Sequence, residues 1–522
     1  MVHGTVGGQP VAHRYFKARW VRLMDYTFLQ LNLPDIEITH AYQQAAEKNV
    51  LAAVDNDNFY GYWSVCADRI GFGDGNTFPS LDGHQMTDAL LRLGQIDIVK
   101  ANWDYVKTFQ KPNGCLPIAI LPSMCGVDNV EINGGLYKHW VPGDPLRALG
   151  PVTYIQNADV IFRYTQDLDW LLAQLPSVNL AAEYLISMMN ENGCVGGAGY
   201  YVERPTRIEY DGVTQCHAAD AFRRLSALNR CAGEDSAVAR YQELAEKVTA
   251  FFRREFWIGD HFAEYIHPTH GLIAGHGLTD VDWSAIATGI ADAEQEAILW
   301  PRLRNEERFY YGGMPTGIST RPETYEDWEF AHPDKHDLAS MGRVWYIESW
   351  ARARMGDAAG ILDSLRRVIK VGRKNDFHWN ERYHPDGDGG YTAAGPLTYC
   401  EYPANLIRIV QRFLLGVEFE LDGSLTLGLT VPDEFPESGF GQELSWRERS
   451  ISYFMRADKI TGDYSGKSPQ HLNLRPQPDA KLTDISVTID GRPADIRLCD
   501  GMLSIELPST GSPCQFEILG SL

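Results

Sequence analysis

From about residue 37 to residue 415, segments with helical apolar spacing alternate with long loops rich in Gly, Pro and aromatic residues. This alternation restricts the fold more than any other feature, because helices of a simple bundle are joined by short connections. The predicted helices cover residues 38–54, 82–93, 96–109, 152–164, 169–190, 213–229, 236–256, 283–300, 338–355, 358–371 and 399–415. In ARYQELAEKVTAFF, Tyr241, Leu244, Ala245, Val248 and Phe251 recur at i, i+3, i+4 and i+7 with charged residues between them, so one face is buried and one is wet.

Beyond Leu415 the pattern becomes short alternating runs: GVEFELDGSLTLGLTVP, RSISYFMRA, DISVTIDGRPADIRL and GMLSIELP. Asp422-Gly423 and Asp490-Gly491 stand between β-prone runs, as hairpin turns require. A chain of 522 residues exceeds one ordinary core and suits a large unit of about 400 residues with a second of about 100. The expected organisation is an N-terminal extension over 1–36, a helical unit over 37–415 and a β-rich domain over 416–522.

The net charge of −22, from 47 Lys and Arg against 69 Asp and Glu, argues against nucleic-acid and anionic-membrane partners, which are bound through basic patches. The nine Cys are scattered without a CxxC pair and resemble neither a disulfide framework nor a zinc site. With no apolar leader near the N-terminus and no run of 18 apolar residues, the expectation is a cytoplasmic protein. The 13 Trp, 25 Tyr and 21 Phe allow sugar binding, since the C–H face of a pyranose packs on an aromatic ring. No cofactor is indicated, and the His267, His270 and His276 spacing is not a compact zinc signature.

Cleaving a glycosidic bond requires a proton donor and a second carboxylate, so acidic residues on aromatic- and Gly-rich loops are the ones to consider. Glu381 lies in FHWNERYHPDGDGGY with Trp379 beside it. GGAGYYVERPTRIEYDG offers Glu203 after Tyr201, then Glu209 and Asp211. Asp211 also stands where a helix N-cap belongs. YGYW, with Trp63, and DRIGFGDGNTFPSLDGHQ, with Asp82 and His84, suit the wall of a sugar subsite, although Asp82 also reads as an N-cap. TDVDW, with Trp283, and YYGGMPTG, with Tyr311, running on into RPETYEDW, are candidate rim segments; Glu323 there is a reserve candidate.

In these residues the chain resembles the six-hairpin (α/α)6 glycosidases, especially the trehalase-like and glycoside hydrolase family 63 enzymes, with a layout similar to bacterial α-L-rhamnosidases. The helix pair CHAADAFRRLSALNRCAGEDSAVARYQELAEKVTAFFRREFW is similar to their paired helices ending at Phe-Trp. Glu381, Tyr383 and Pro385 match the first three fixed positions of their Glu-x-Tyr-x-Pro-x-x-Gly element. The resemblance implies a mainly α fold, an (α/α)6 toroid with a C-terminal β-sandwich domain, and an inverting glycosidase on a carbohydrate substrate; exo action is expected because long loops from several hairpins close one end of such a barrel. It makes Glu381 the base and places the acid among Glu203, Glu209 and Asp211. Tyr399-Cys400-Glu401 stands near the place of a late family signature, so Glu401 remains an alternative base. The same barrel hosts polysaccharide lyases and sugar epimerases, for which Tyr210, His217 and Arg207, or His378 and His384, are the available residues, and a non-catalytic carbohydrate-binding role is a further alternative.

Overall fold

A helix in the outer layer of a helical barrel needs one apolar stripe, whereas a helix in the inner layer is covered on every side. The chain contains both kinds. The computed structural model describes residues 31–54, 62–70, 80–118, 120, 147–197, 210–329, 338–386, 388–428, 431–475, 485–499, 501–509 and 513–520. Its helices are α1 Ile36–Gln44, continued by a π-helical turn over Ala45–Val50, α2 Leu81–Arg92, α3 Ile96–Lys107, α4 Leu149–Thr165, α5 Leu168–Ser187 and α6 Gly212–Cys231. They continue with α7 Asp235–Glu255, α8 Asp280–Thr288, α9 Ala293–Arg304, α10 Gly342–Arg354, α11 Ala358–Lys374 and α12 Glu401–Arg408, which runs on as a π-helix over Ile409–Leu414.

The even-numbered helices form the inner ring. Each packs on the next, and α12 packs back on α2, closing the circle. α8 is buried at every position and α2 at all but Asp82. α7 instead buries the stripe Tyr241, Ala245, Val248, Phe251 and Phe252, the face its spacing predicts. The links from inner to outer helices are short, over residues 93–95, 166–167, 232–234, 289–292 and 355–357, whereas the links from outer to inner helices are long. The inner helices therefore all begin at the end where the long links enter, and in a ring of six the starts of α6 and α12 face each other across that mouth.

The single helix predicted over 283–300 is two helices. Gly289, at φ +67°, ends α8 in the left-handed region, and Asp292 restarts the chain with a capping box to Gln295. The break converts the region into the fourth hairpin of the barrel.

Two small sheets belong to the long loops: β2 Tyr265–His267 with β3 Gly271–Ile273, and β4 Ser340–Met341 with β5 Arg382–Pro385 and β6 Tyr391–Ala394. The C-terminal region is a β-sandwich. One sheet has the order β1-β9-β10-β11-β17-β13-β14 and the other β15-β16-β12-β8-β7. The strands are β1 Leu31–Asn32, β7 Glu418–Phe419, β8 Leu425–Gly428, β9 Phe440–Trp446, β10 Arg449–Arg456, β11 Lys459–Gly466, β12 Gln470–Arg475, β13 Ser486–Ile489, β14 Arg492–Pro493, β15 Arg497–Cys499, β16 Met502–Leu507 and β17 Cys514–Leu519. Alternate residues such as Ile451, Tyr453 and Met455 face inward against Leu472, Leu474 and Ile505. Both expected turns are present: Asp422-Gly423 joins β7 to β8, and Asp490-Gly491, at φ +50° and +73°, joins β13 to β14. β1, which precedes the barrel, pairs with β9 through Leu31 and Gln442, so the chain ahead of the helices contributes to this sheet. The apolar core runs on from barrel to sandwich. Among the described residues no helix is long and apolar enough to cross a membrane.

Candidate active site

Four loops bring charged groups to the mouth of the ring. Glu401 is the first residue of α12, where the partial positive charge of a helix start favours a carboxylate. Arg343 is the second residue of α10, where a cation is disfavoured and needs a partner. The two meet in a buried fork: Arg343 Nη2 donates to Glu401 Oε2 at 2.9 Å, its Nε to Oε1 at 3.1 Å, and its backbone N–H also donates to Oε1. The approach is close because α10 begins at Gly342, where a Cβ would stand 2.9 Å from Glu401 Cγ. Burial raises the Glu401 pKa, and the Arg343 guanidinium pulls it back.

Asp82 joins from the first turn of α2. Its Oδ1 accepts from the Tyr399 hydroxyl at 2.5 Å and lies 3.7 Å from Arg343 Nη2. The side chain faces this cluster, and Ser80 occupies the N-cap position of α2.

Glu381 lies in the α11–α12 loop just before β5 and is 4% exposed. Its Oε2 accepts from Arg382 Nη1 at 2.5 Å. Burial pushes its pKa up to about 7, opposed by Arg382 and Arg343 and reinforced by Glu401 and Asp82. Gly395, at φ +74°, lies against this carboxylate, and a Cβ there would collide with Glu381 Oε2. Tyr383 holds the loop through its hydroxyl, which accepts from Asn380 N at 2.9 Å. Tyr402, beside Glu401, reaches Ser340 Oγ at 2.9 Å and ties α12 to β4. One mouth-side cluster thus joins Asp82, Arg343, Glu381, Tyr399 and Glu401. Sequence reasoning passed over Arg343 and named Tyr399 only as a flank of Glu401. The available signal for Arg343 was a cation in the first turn of a helix, where the dipole disfavours it.

Across the ring, Asp211 is the N-cap of α6. It is fully buried, and its Oδ2 accepts from Thr214 N at 3.1 Å and from Thr214 Oγ1 at 2.9 Å. Glu203, Tyr201 and Glu209 lie outside the described residues. His84 is buried on the axial side of α2, its Nδ1 2.7 Å from Asn157 Oδ1 and its pKa pushed down to about 3 by burial and by Arg408. It lines an axial cavity that runs from Leu81 and Arg343 to Trp350 and Arg412. His217 is likewise buried on α6, and His378 is held 3.0 Å from Asn49 at the α1 side.

Three aromatic assignments are corrected. Trp63, Trp283 and Trp379 are 1%, 2% and 0% exposed and leave no ring face for a sugar. Trp379 fills the space over Gly372 and donates to Val368 O at 3.0 Å, while Trp283 packs edge-on to Trp300 with Arg352 over its ring. Their apolar area belongs to the packing between helix layers, which a loop position in the sequence does not reveal. Tyr311 remains half-buried on the rim, its pKa raised by burial and by Glu323.

No protein-family model matches the sequence, and no curated protein matches it. Solved structures do. The chain superposes on an α-L-rhamnosidase from Dictyoglumus thermophilum with a TM-score of 0.61 and 11% identity, over 94% of this chain and 50% of that one. A Streptomyces avermitilis α-L-rhamnosidase complexed with L-rhamnose matches with a TM-score of 0.58 and 12% identity, over 94% of this chain and 42% of that one. A family 63 mannosylglycerate hydrolase from Thermus thermophilus, in complex with glucose, gives 0.50 and 11% identity, over 70% of this chain and 99% of that one. The chain spans half or less of the length of these rhamnosidases. What it shares with all three is a fold, the six-hairpin (α/α)6 barrel, which here carries a C-terminal β-sandwich.

Proposed function

We propose that the protein is a glycoside hydrolase acting on an oligosaccharide or glycan, exo-acting and inverting, with residues 37–415 as its catalytic unit and 416–522 as a supporting β domain. The observation that carries this reading is Glu381: a buried carboxyl at the mouth of a six-hairpin barrel, poised at about 7 and surrounded by Arg343, Arg382 and Asp82. A group titrating there accepts a proton from water without being too weak a base to do so. The acid is one of Glu203, Glu209 and Asp211, in the segment that leads into α6, whose start stands across the ring from α12. Glu381 removes a proton from water as its oxygen attacks the anomeric carbon, and the acid protonates the departing glycosidic oxygen. Inversion requires the two carboxyls to stand about 6.5–9.5 Å apart. Asp82, held by the Tyr399 hydroxyl, is an acceptor for sugar hydroxyls, and Glu401, its side chain fully buried, fixes Arg343 beside it. Asp211 fits a capping role, which makes Glu203 the preferred acid.

The test compares wild type with Glu381→Gln on oligosaccharides and plant, algal and bacterial glycans, following reducing ends, ultraviolet absorbance and the anomer first released. Loss of hydrolysis in a folded variant, with the inverted anomer from wild type, supports the proposal. An unsaturated product or unchanged hydrolysis would move the reaction to a lyase or the base to Glu401.

A further inference from the structure

The link between α9 and α10 and the β2–β3 hairpin between α7 and α8 both stand at the mouth, and they meet at Trp328. This residue lies in a 3-10 turn, Asp327–Glu329, and is 44% exposed. Its exposure is held by a built support. His270 stacks on the indole at 4.3 Å and 16°, and His267 meets it edge-on at 5.3 Å. His267 Nδ1 accepts from the backbone N–H groups of Thr269 and His270, both at 3.1 Å, which fixes the imidazole and the hairpin turn together. From the other side, Glu329 accepts from the Tyr265 hydroxyl at 2.5 Å and contacts His276 Nε2 at 3.2 Å. One indole face is covered by His270. A half-covered Trp at the rim of a cleft has the shape that stacks on the C–H face of a pyranose.

We infer that Trp328, backed by His270 and His267, is a rim subsite that stacks an uncharged sugar unit of an oligosaccharide extending out of the mouth. Its place in a substrate path rests on the glycosidase reading, whereas its binding does not depend on turnover. The sugar class follows from the surroundings: Glu323, Glu326 and Asp327 are exposed on the same short loop, and their negative field opposes a uronate or a sulfated unit.

Calorimetric titration of the full chain, as Glu381→Gln to suppress turnover, tests this with maltotetraose, cellotetraose, mannotetraose and tetragalacturonate. Circular dichroism checks that the variants fold. Adding Trp328→Ala should weaken the best neutral ligand about 3- to 10-fold, and Trp328→Phe should hold it within about 2-fold, as the worth of one aromatic contact dictates. Tetragalacturonate should bind more weakly than that ligand. Binding unaffected by Trp328→Ala, no binding of any neutral tetrasaccharide, or tighter binding of tetragalacturonate would overturn the inference. A Trp328 effect on binding alongside a failed hydrolysis assay would leave the subsite standing and remove only the reaction.

Discussion

Replacing Glu381 with Gln should stabilise the protein and silence it, and the stabilisation should depend on pH. Folding raises this carboxyl from 4.5 to about 7. Between those values the folded chain binds a proton that the unfolded chain has released, so stability is full below about 4.5 and falls as pH rises through about 7. At about 1.4 kcal/mol per pH unit, the loss reaches about 3 kcal/mol. Gln carries no such proton and keeps an oxygen for Arg382. For 522 residues, at about 2.1 cal/mol/K each, 3 kcal/mol corresponds to a shift of about 3 °C in the midpoint of thermal unfolding. Thermal melts of both proteins from pH 4.5 to pH 8.5 should give nearly equal midpoints at the acid end and the variant ahead by about 3 °C at the alkaline end. Hydrolysis by the variant should meanwhile fall by about 10²- to 10⁴-fold, the usual worth of a general base. A midpoint difference that stays constant across the range would refute the argument that burial holds this carboxyl protonated into the neutral range.

Other substitutions separate the remaining roles. Asp211→Asn keeps a capping oxygen and should change stability by only a few tenths of a kcal/mol; hydrolysis near the wild-type rate would assign the acid to the loop before it, whereas a collapse in rate with normal melting would make Asp211 the acid. Arg343→Ala leaves Glu401 buried without its partner and should cost about 3–5 kcal/mol in urea unfolding, so a loss below about 1 kcal/mol would mean that Glu401 is protonated in the native state. Gly395→Ala places a methyl group on Glu381 Oε2 and strains a left-handed backbone; it should lower both the melting midpoint and turnover, and normal turnover would show that the carboxylate can shift without consequence.

The helical repeat, the β-rich end and the two Asp-Gly turns were legible in the sequence because local physics sets them: apolar spacing, and a left-handed backbone at Gly. One failure was local too. The segment 283–300 read as continuous because its apolar spacing is not interrupted, and the stop depends on Gly289 together with the cap at Asp292. The site was legible only in part. Glu381 and Asp82 stand out as acidic residues among Gly and aromatics, yet nothing in the sequence places them beside Arg343 and Glu401, from two other helices. The aromatic residues mislead for the same reason: Trp379 and Trp328 both lie in loop segments, and only packing buries one against Gly372 and exposes the other over His270. By itself the sequence determined most of the barrel helices, the β-rich end with its two Asp-Gly turns, and which loops are rich in acidic groups, while the break at Gly289 and the short strands inside the loops went unread. Tertiary structure alone decided which of those groups share one dehydrated space, because burial and charge pairing depend on distances between residues hundreds of positions apart, and so it decided that Glu381 is among the carboxyls raised into the neutral range.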